Sequence, residues 1–294
     1  MQLKNNYFYY TSAIPVNKCK EIISHGLSKM TLDESLGHSK KAITADGKEK
    51  GGVSMDGKKT SSVATGGATK ETLAKKGIDS SKAYVRDSEV SWISDRWMYD
   101  IFHPYIHHAN EKASWNWEWD FSEAFQFTVY HGRKENGGFY GWHADGQSDK
   151  PSAYKPMVNM GTQEKPDYRD VLRDEQGFIK FDKNKKALPS AKKIPMRRDG
   201  KTPAPGFTTE PGMWDKVRKI SMTVNLTDPK NYAGGNLKFD FGPHNGANRF
   251  KVCKEIRPTG SIIIFPSFMY HCITPVTRGT RYSLVLWSLG KPWK

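Results

Sequence analysis

The stretch Gly260 to Trp287, GSIIIFPSFMYHCITPVTRGTRYSLVLW, limits what this chain can fold into more than any other. Ser261 to Phe265 is a β-branched and aromatic run, which suits a pleated strand packed on its neighbours. Ser267 to Tyr270 can turn the chain, so a second strand is expected to begin at His271. From Pro275 the chain is expected to turn through Arg278, Gly279 and Thr280 and to return as Arg281 to Trp287, a hairpin with a glycine in its turn. A histidine and an arginine ten residues apart would then meet on adjoining strands.

Upstream, His143-Ala144-Asp145 completes the set. Successive side chains of a strand point to opposite faces, so His143 and Asp145 share one face while Ala144 points away. A His-x-Asp pair with a remote histidine is the donor set of a 2-His-1-carboxylate Fe(II) site. Three protein ligands leave open positions on a six-coordinate ion, and the planar guanidinium of Arg281 is suited to a carboxylate. A dicarboxylate cosubstrate is the expectation.

Five segments, in this order, extend the pattern: YHGRKENGGFYGWHAD at 130–145, RKISMTVNL at 218–226, DPKNYAGGNLKF at 228–239, RPTGSIIIFPS at 257–267 and HCITPVTRGTRYSLVLW at 271–287. Together they resemble the Fe(II)/2-oxoglutarate dioxygenases, specifically the prolyl 4-hydroxylase-like catalytic domain and its microbial and phage relatives, over Glu89 to Gly290. The resemblance implies a mainly β fold with flanking helices, a double-stranded β-helix or jelly roll with N-terminal packing helices. It implies His143, Asp145 and His271 as metal ligands and Arg281 as partner of the distal carboxylate of 2-oxoglutarate. Ser283, two residues on along the same strand face, adds a hydroxyl, and Tyr130 of the Y-x-G motif is placed near metal and cosubstrate. Fe(II), 2-oxoglutarate and O2 are the implied cofactor and cosubstrates. The implied reaction hydroxylates a C–H bond with release of succinate and CO2.

The same resemblance leads with a prolyl or other residue in a protein or peptide as substrate, and keeps a small molecule or free amino acid as the alternative. The formal charge of +15 raises a nucleic-acid demethylase of the same chemistry. That subfamily carries a second arginine six residues after the first, where this chain has Trp287, so nucleic acid is disfavoured. A non-catalytic binding module is disfavoured by the intact ligand set.

The 294 residues are read as one dioxygenase domain: residues 1–124 as N-terminal helices and a variable loop, and 125–290 as the jelly-roll core with an insertion at about 146–219. Ile14 to Met30 has helical spacing. Residues 31 to 88 turn to Gly, Ser, Thr and Lys and are expected to be loop, either a substrate lid or a surface excursion. Glu89 to Asn110 reads as helix through Val90, Ile93, Trp97, Ile101, Tyr105 and Ala109, with a kink or restart at Pro104. Trp115, Trp117 and Trp119 alternate as in a strand. The 146–219 insertion holds seventeen basic and ten acidic side chains without an apolar period, and is expected to border the mouth of the site. His25, the cluster His103, His107 and His108, and His244 are read as structural or surface histidines. Cys19, Cys253 and Cys272 lack metal-type spacing and suit a reducing compartment. With no apolar run long enough to span a bilayer, a cytoplasmic protein is expected.

Overall fold

The structure, a computed structural model, describes residues 3–35, 41–43, 49–53, 86–134, 137–147, 149–162, 164–197, 202–204, 206–242 and 249–293. The chain divides into two compact units. One comprises residues 1–117, 122–145 and 219–288; the other 118–121, 146–218 and 289–294. Most of the second unit coincides with the expected insertion.

The first unit is mainly β, built from antiparallel strands that alternate between two sheets. The large sheet runs in the order Phe8–Tyr10, Ile262–Pro266, Val217–Asn225, Val276–Gly290, Phe125–His131, Glu89–Ile93, and the smaller in the order Phe250–Val252, Leu237–Asp240, Tyr270–Ile273, Phe139–His143, Arg86–Asp87. Going along the chain, Phe125–His131 lies in the large sheet and Phe139–His143 in the small. The same alternation follows for Val217–Asn225 and Leu237–Asp240, and again for Ile262–Pro266, Tyr270–Ile273 and Val276–Gly290. This winding between two sheets is the expected double-stranded β-helix. Inward side chains such as Phe239, Phe265, Leu237, Ile263 and Val276 form a buried cluster.

The helix Val16–Ser35 follows the predicted packing helix, with Cys19 and Ile22 buried. Gly26 lets it approach the sheet, since a β-carbon there would lie 2.4 Å from the ring of Phe127. Three expectations change. Glu89–Ile93 is a strand whose backbone pairs with Phe125–Val129, and the helix occupies only Arg96–Lys112. Its buried stripe includes Met98, Phe102 and Ile106, each one residue on from the predicted Trp97, Ile101 and Tyr105, and meets the predicted face at Ala109; the helix continues through exposed Pro104 without a break. Trp115 and Trp117 do not belong to a strand: Ser114 and Asn116 have positive φ, and the two rings stack at 5.3 Å.

The third change concerns Arg281. No hairpin forms at Gly279; Val276–Gly290 is one strand of 15 residues. Its first residues pair with Tyr232–Gly234 and its later ones with Phe125–His131. Gly279 at φ +70° bends the strand instead of reversing it, and a β-carbon there would lie 1.9 Å from the carbonyl oxygen of Asn231.

Within the expected loop at 31–88, Lys41–Ile43 pairs with Glu49–Val53, while 36–40, 44–48 and 54–85 lie outside the described residues. The second unit contains Val158–Asn159, Tyr168–Val171 and Pro189–Lys193 as a three-stranded sheet. Between them an eight-residue repeat was missed in the sequence. Asp174 Oδ1 accepts from the N–H groups of Gln176 and Phe178, and Asp182 Oδ1 from those of Asn184 and Lys186. Gly177 and Lys185 take the matching positive φ. Its signal was the pair of aspartates eight apart, each opening a turn. Among the described residues no helix is long and apolar enough to cross a membrane.

Candidate active site

The antiparallel register sets His143 directly opposite His271 on adjoining strands. Strand Phe139–His143 ends at the histidine, and Asp145 follows just beyond it with Ala144 turned to solvent. Asp145 Oδ1 is 3.3 Å from His143 Nε2, and Oδ2 is 3.7 Å from His271 Nε2. Their ligand atoms all lie within 4.8 Å of one another, the one such group that can hold a metal ion among the described residues.

The ring orientations are held from behind. His143 Nδ1 lies 2.8 Å from the carbonyl oxygen of Gly141, and His271 Nδ1 2.9 Å from that of Met269. A carbonyl only accepts, so each Nδ1 carries a proton, and Nε2 is the ring nitrogen that faces the centre. Burial, helped by His143, pushes the pKa of His271 down to about 4. Burial opposes the charge of Asp145, but His271 and His143, with the hydroxyl of Ser221, hold its carboxyl below the usual range. Neutral imidazoles and an ionised carboxylate are the protonation states that ligate a divalent cation.

The other predicted residues converge on the same place. Arg281, Ser283 and Tyr130 join His143, Asp145 and His271 around one cavity of about 30 Å³. Arg281 stands opposite Tyr130 and Ser283 opposite Thr128 in the strand register. Arg281 is 1% exposed, its guanidinium 5.5 Å from the ring centre of Tyr130, and among the described residues neither Nη1 nor Nη2 has a hydrogen-bond partner. A buried guanidinium with free donors is costly unless an anion meets it. An acceptor such as a carboxylate suits it.

Sequence reasoning missed Gln126 and Thr223, which line the cavity with Tyr140. A signal existed in FQFTVYH, where Gln126, Thr128 and Tyr130 alternate along one face of a strand whose other face is Phe125, Phe127 and Val129. Polar residues at every second position of a strand buried on both faces mark a lined cavity. The histidines set aside behave as expected: His25 pairs with Asp95 at 3.2 Å, His103 meets Ser122 and His108 meets the Tyr10 hydroxyl. His244 lies outside the described residues.

Comparison with known proteins adds a further observation: residues 207–289 match the profile of the 2OG-Fe(II) oxygenase superfamily. The matched segment, less than a third of the chain, is similar to that superfamily. It carries His271, Arg281 and Ser283, and the superfamily's requirement for Fe(II), 2-oxoglutarate and O2 fits the donor set described above. PKHD-type hydroxylases YbiX of Escherichia coli O1:K1 and of Shigella boydii serotype 18 are each 40% identical over 70 residues. That alignment covers 23% of this chain, and the chain spans only 27% of the length of these relatives. Among solved structures, a Pseudomonas putida prolyl-4-hydroxylase is 13% identical with a TM-score of 0.44, covering 96% of this chain and 91% of that one. A viral collagen prolyl hydroxylase of Paramecium bursaria Chlorella virus-1 is 13% identical with a TM-score of 0.46, covering 97% of each chain.

Proposed function

We propose that this chain is an Fe(II)- and 2-oxoglutarate-dependent hydroxylase, with His143, Asp145 and His271 as the iron ligands and Arg281 as the cosubstrate anchor. One observation carries the reading. A buried guanidinium with two unpartnered nitrogens lines the same cavity as a buried His-Asp-His group, so a cation site and an anion site share one small space. A molecule with a carboxylate at each end, one toward the metal and one toward Arg281, answers both. When bound, Fe(II) with 2-oxoglutarate and O2 supplies the oxidising chemistry, releasing succinate and CO2. The chain's own residues bind and orient. Gly141 and Met269 carbonyls fix the imidazoles, Arg281 receives the distal carboxylate, and Ser283 and Tyr130 offer hydroxyls in the same cavity. Buried Phe265, Leu237 and Ile273 line its apolar side and limit water.

The substrate we propose is a prolyl or other residue within a protein or peptide, supported by the five sequence motifs and by the PKHD-type hydroxylases to which 70 residues of the chain are similar. The test begins with anaerobic titration of the metal-free protein with Fe(II) and 2-oxoglutarate, following the visible charge-transfer band. A band in wild type that is lost in His143→Ala and needs far more 2-oxoglutarate in Arg281→Ala supports the assignment. No band in folded wild type rejects it. Mass spectrometry of peptide and free amino-acid libraries then looks for one added oxygen atom. Turnover confined to the free amino acids would replace the peptide reading.

A further inference from the structure

Arg86 takes no part in the motifs that point to the site, yet it is a second arginine buried inside the first unit, 3% exposed. It belongs to the edge strand Arg86–Asp87 of the small sheet, where it stands opposite Tyr140. Two of its hydrogen bonds end on the large sheet. Nε donates to Ser88 Oγ at 2.5 Å, Nη1 to Gln126 Oε1 at 3.2 Å and Nη2 to Thr128 Oγ1 at 3.4 Å. Gln126 Nε2 in turn donates to the same Thr128 oxygen. The guanidinium carbon also lies 4.6 Å from the ring centre of Tyr140. On that ring lies the imidazole of His143, with centroids 3.6 Å apart and planes within 16°.

We propose that Arg86 is a positioning residue of the site: it clamps Tyr140 flat against His143 and holds Gln126 in the cavity wall, so that the metal-binding pose of His143 depends on a side chain that touches no ligand atom. This rests on the iron-site reading above. The physical basis is the number of constraints. The Gly141 carbonyl fixes where His143 Nδ1 points but leaves the ring free to rock about that bond. A flat neighbour on its face removes that freedom, provided the neighbour is itself held. Tyr140 is held by a guanidinium that lies over its ring and is locked at three nitrogens. Lysine would keep the charge without the fork, and methionine would keep the stem without either. Outer groups that orient ligands typically change metal affinity about 10- to 100-fold when removed.

The experiment uses the full chain without metal, titrated anaerobically with Co(II) as an optical stand-in for Fe(II). Affinity and the visible d–d spectrum are read in wild type, Arg86→Met, Arg86→Lys, Tyr140→Leu, Tyr140→Phe and the double variant Arg86→Met/Tyr140→Leu. Thermal unfolding of each metal-free protein reports folding. We expect Arg86→Met to weaken Co(II) binding roughly 10-fold or more and to alter the spectrum. Arg86→Lys should recover only part of the loss. Tyr140→Phe, which keeps the ring, should resemble wild type, and the double variant should bind no worse than Tyr140→Leu alone, since Arg86 acts through that ring. If Arg86→Met loses thermal stability but keeps wild-type affinity and spectrum, Arg86 is structural only and the proposal fails. Independent losses that add in the double variant also overturn it. If Arg86→Met does not fold, Tyr140→Leu against Tyr140→Phe decides: equal Co(II) binding by the two rejects the clamp. Absence of Co(II) and Fe(II) binding in wild type would instead sink the iron-site reading, a different failure.

Discussion

Arg281 carries the sharpest consequence of burying a charge without a partner. With both terminal nitrogens lacking a partner, the guanidinium pays desolvation in the cosubstrate-free protein and recovers it only when an anion arrives. Arg281→Met is therefore expected to act in opposite directions on stability and on binding. It should raise the unfolding temperature of the metal-free, cosubstrate-free protein, and it should weaken 2-oxoglutarate by about 1.5–3 kcal/mol for each charged hydrogen bond lost, roughly 10- to 100-fold or more. Differential scanning calorimetry and the charge-transfer titration read the two effects. A variant that is both less stable and equally avid would show that Arg281 is a core residue and not an anchor. His143, Asp145, His271 and Arg281 were legible as residues because each is a chemical type with few alternatives at that spacing. Arg86 was not, because arginine has many ordinary surface roles and only burial distinguishes this one.

Among the elements, the strand Val276–Gly290 carries Arg281 into the cavity that His143, Asp145 and His271 also line. Gly279 sits at the junction between its two pairings, at a φ that favours glycine and against the Asn231 carbonyl. Gly279→Ala should destabilise the protein by about 1–3 kcal/mol through backbone strain and crowding. It should also weaken 2-oxoglutarate by displacing Arg281; a variant with unaltered stability in urea unfolding would contradict the role given to this bend. A second element-level expectation concerns the ladder between Glu89–Ile93 and Phe125–His131, where His131 Nε2 lies 3.2 Å from Glu89 Oε2. Hydrogen bonding to Glu89 raises the pKa of His131 against the opposing effect of burial, and the same bond lowers that of Glu89. The histidine's contribution is complete below its ordinary value and vanishes as pH rises through the raised folded value. The carboxylate's is complete above its ordinary value and vanishes as pH falls through the lowered folded value. The pair thus supports the ladder between those two limits, weakly, since both groups are about half exposed. In Glu89→Gln, an NMR titration should find the His131 pKa lowered; an unmoved value would mean that the pair does not form.

At the scale of the whole molecule, the His-Asp-His group is assembled from strands far apart in sequence, so a bound cation exists only in the folded chain. Metal binding is then expected to raise thermal stability by mass action, about 2.7 kcal/mol at a hundredfold excess over the dissociation constant, and further with 2-oxoglutarate. His143→Ala should abolish the metal-dependent rise while leaving the metal-free unfolding temperature within a few degrees. A rise that survives in this variant would place the cation elsewhere. The eight-residue repeat around Asp174 and Asp182, and the sheet beside it, give the described residues of 146–218 regular structure where composition suggested only loop. Turn-capping aspartates and backbone ladders order such a segment without an apolar period, which is why hydropathy did not disclose it. The sequence by itself determined the candidate chemistry: which side chains are of a kind to hold a divalent cation and which a carboxylate, with His143, His271 and Arg281 on strands and Asp145 just beyond one. Tertiary structure alone decided the rest: that Glu89–Ile93 is strand and not helix, that Val276–Gly290 bends and does not turn back, and that Arg86 reaches Gln126 and Tyr140. Local spacing is written in neighbouring residues, whereas pairing, burial and the sharing of one cavity depend on which distant segments supply the hydrogen bonds and exclude the water.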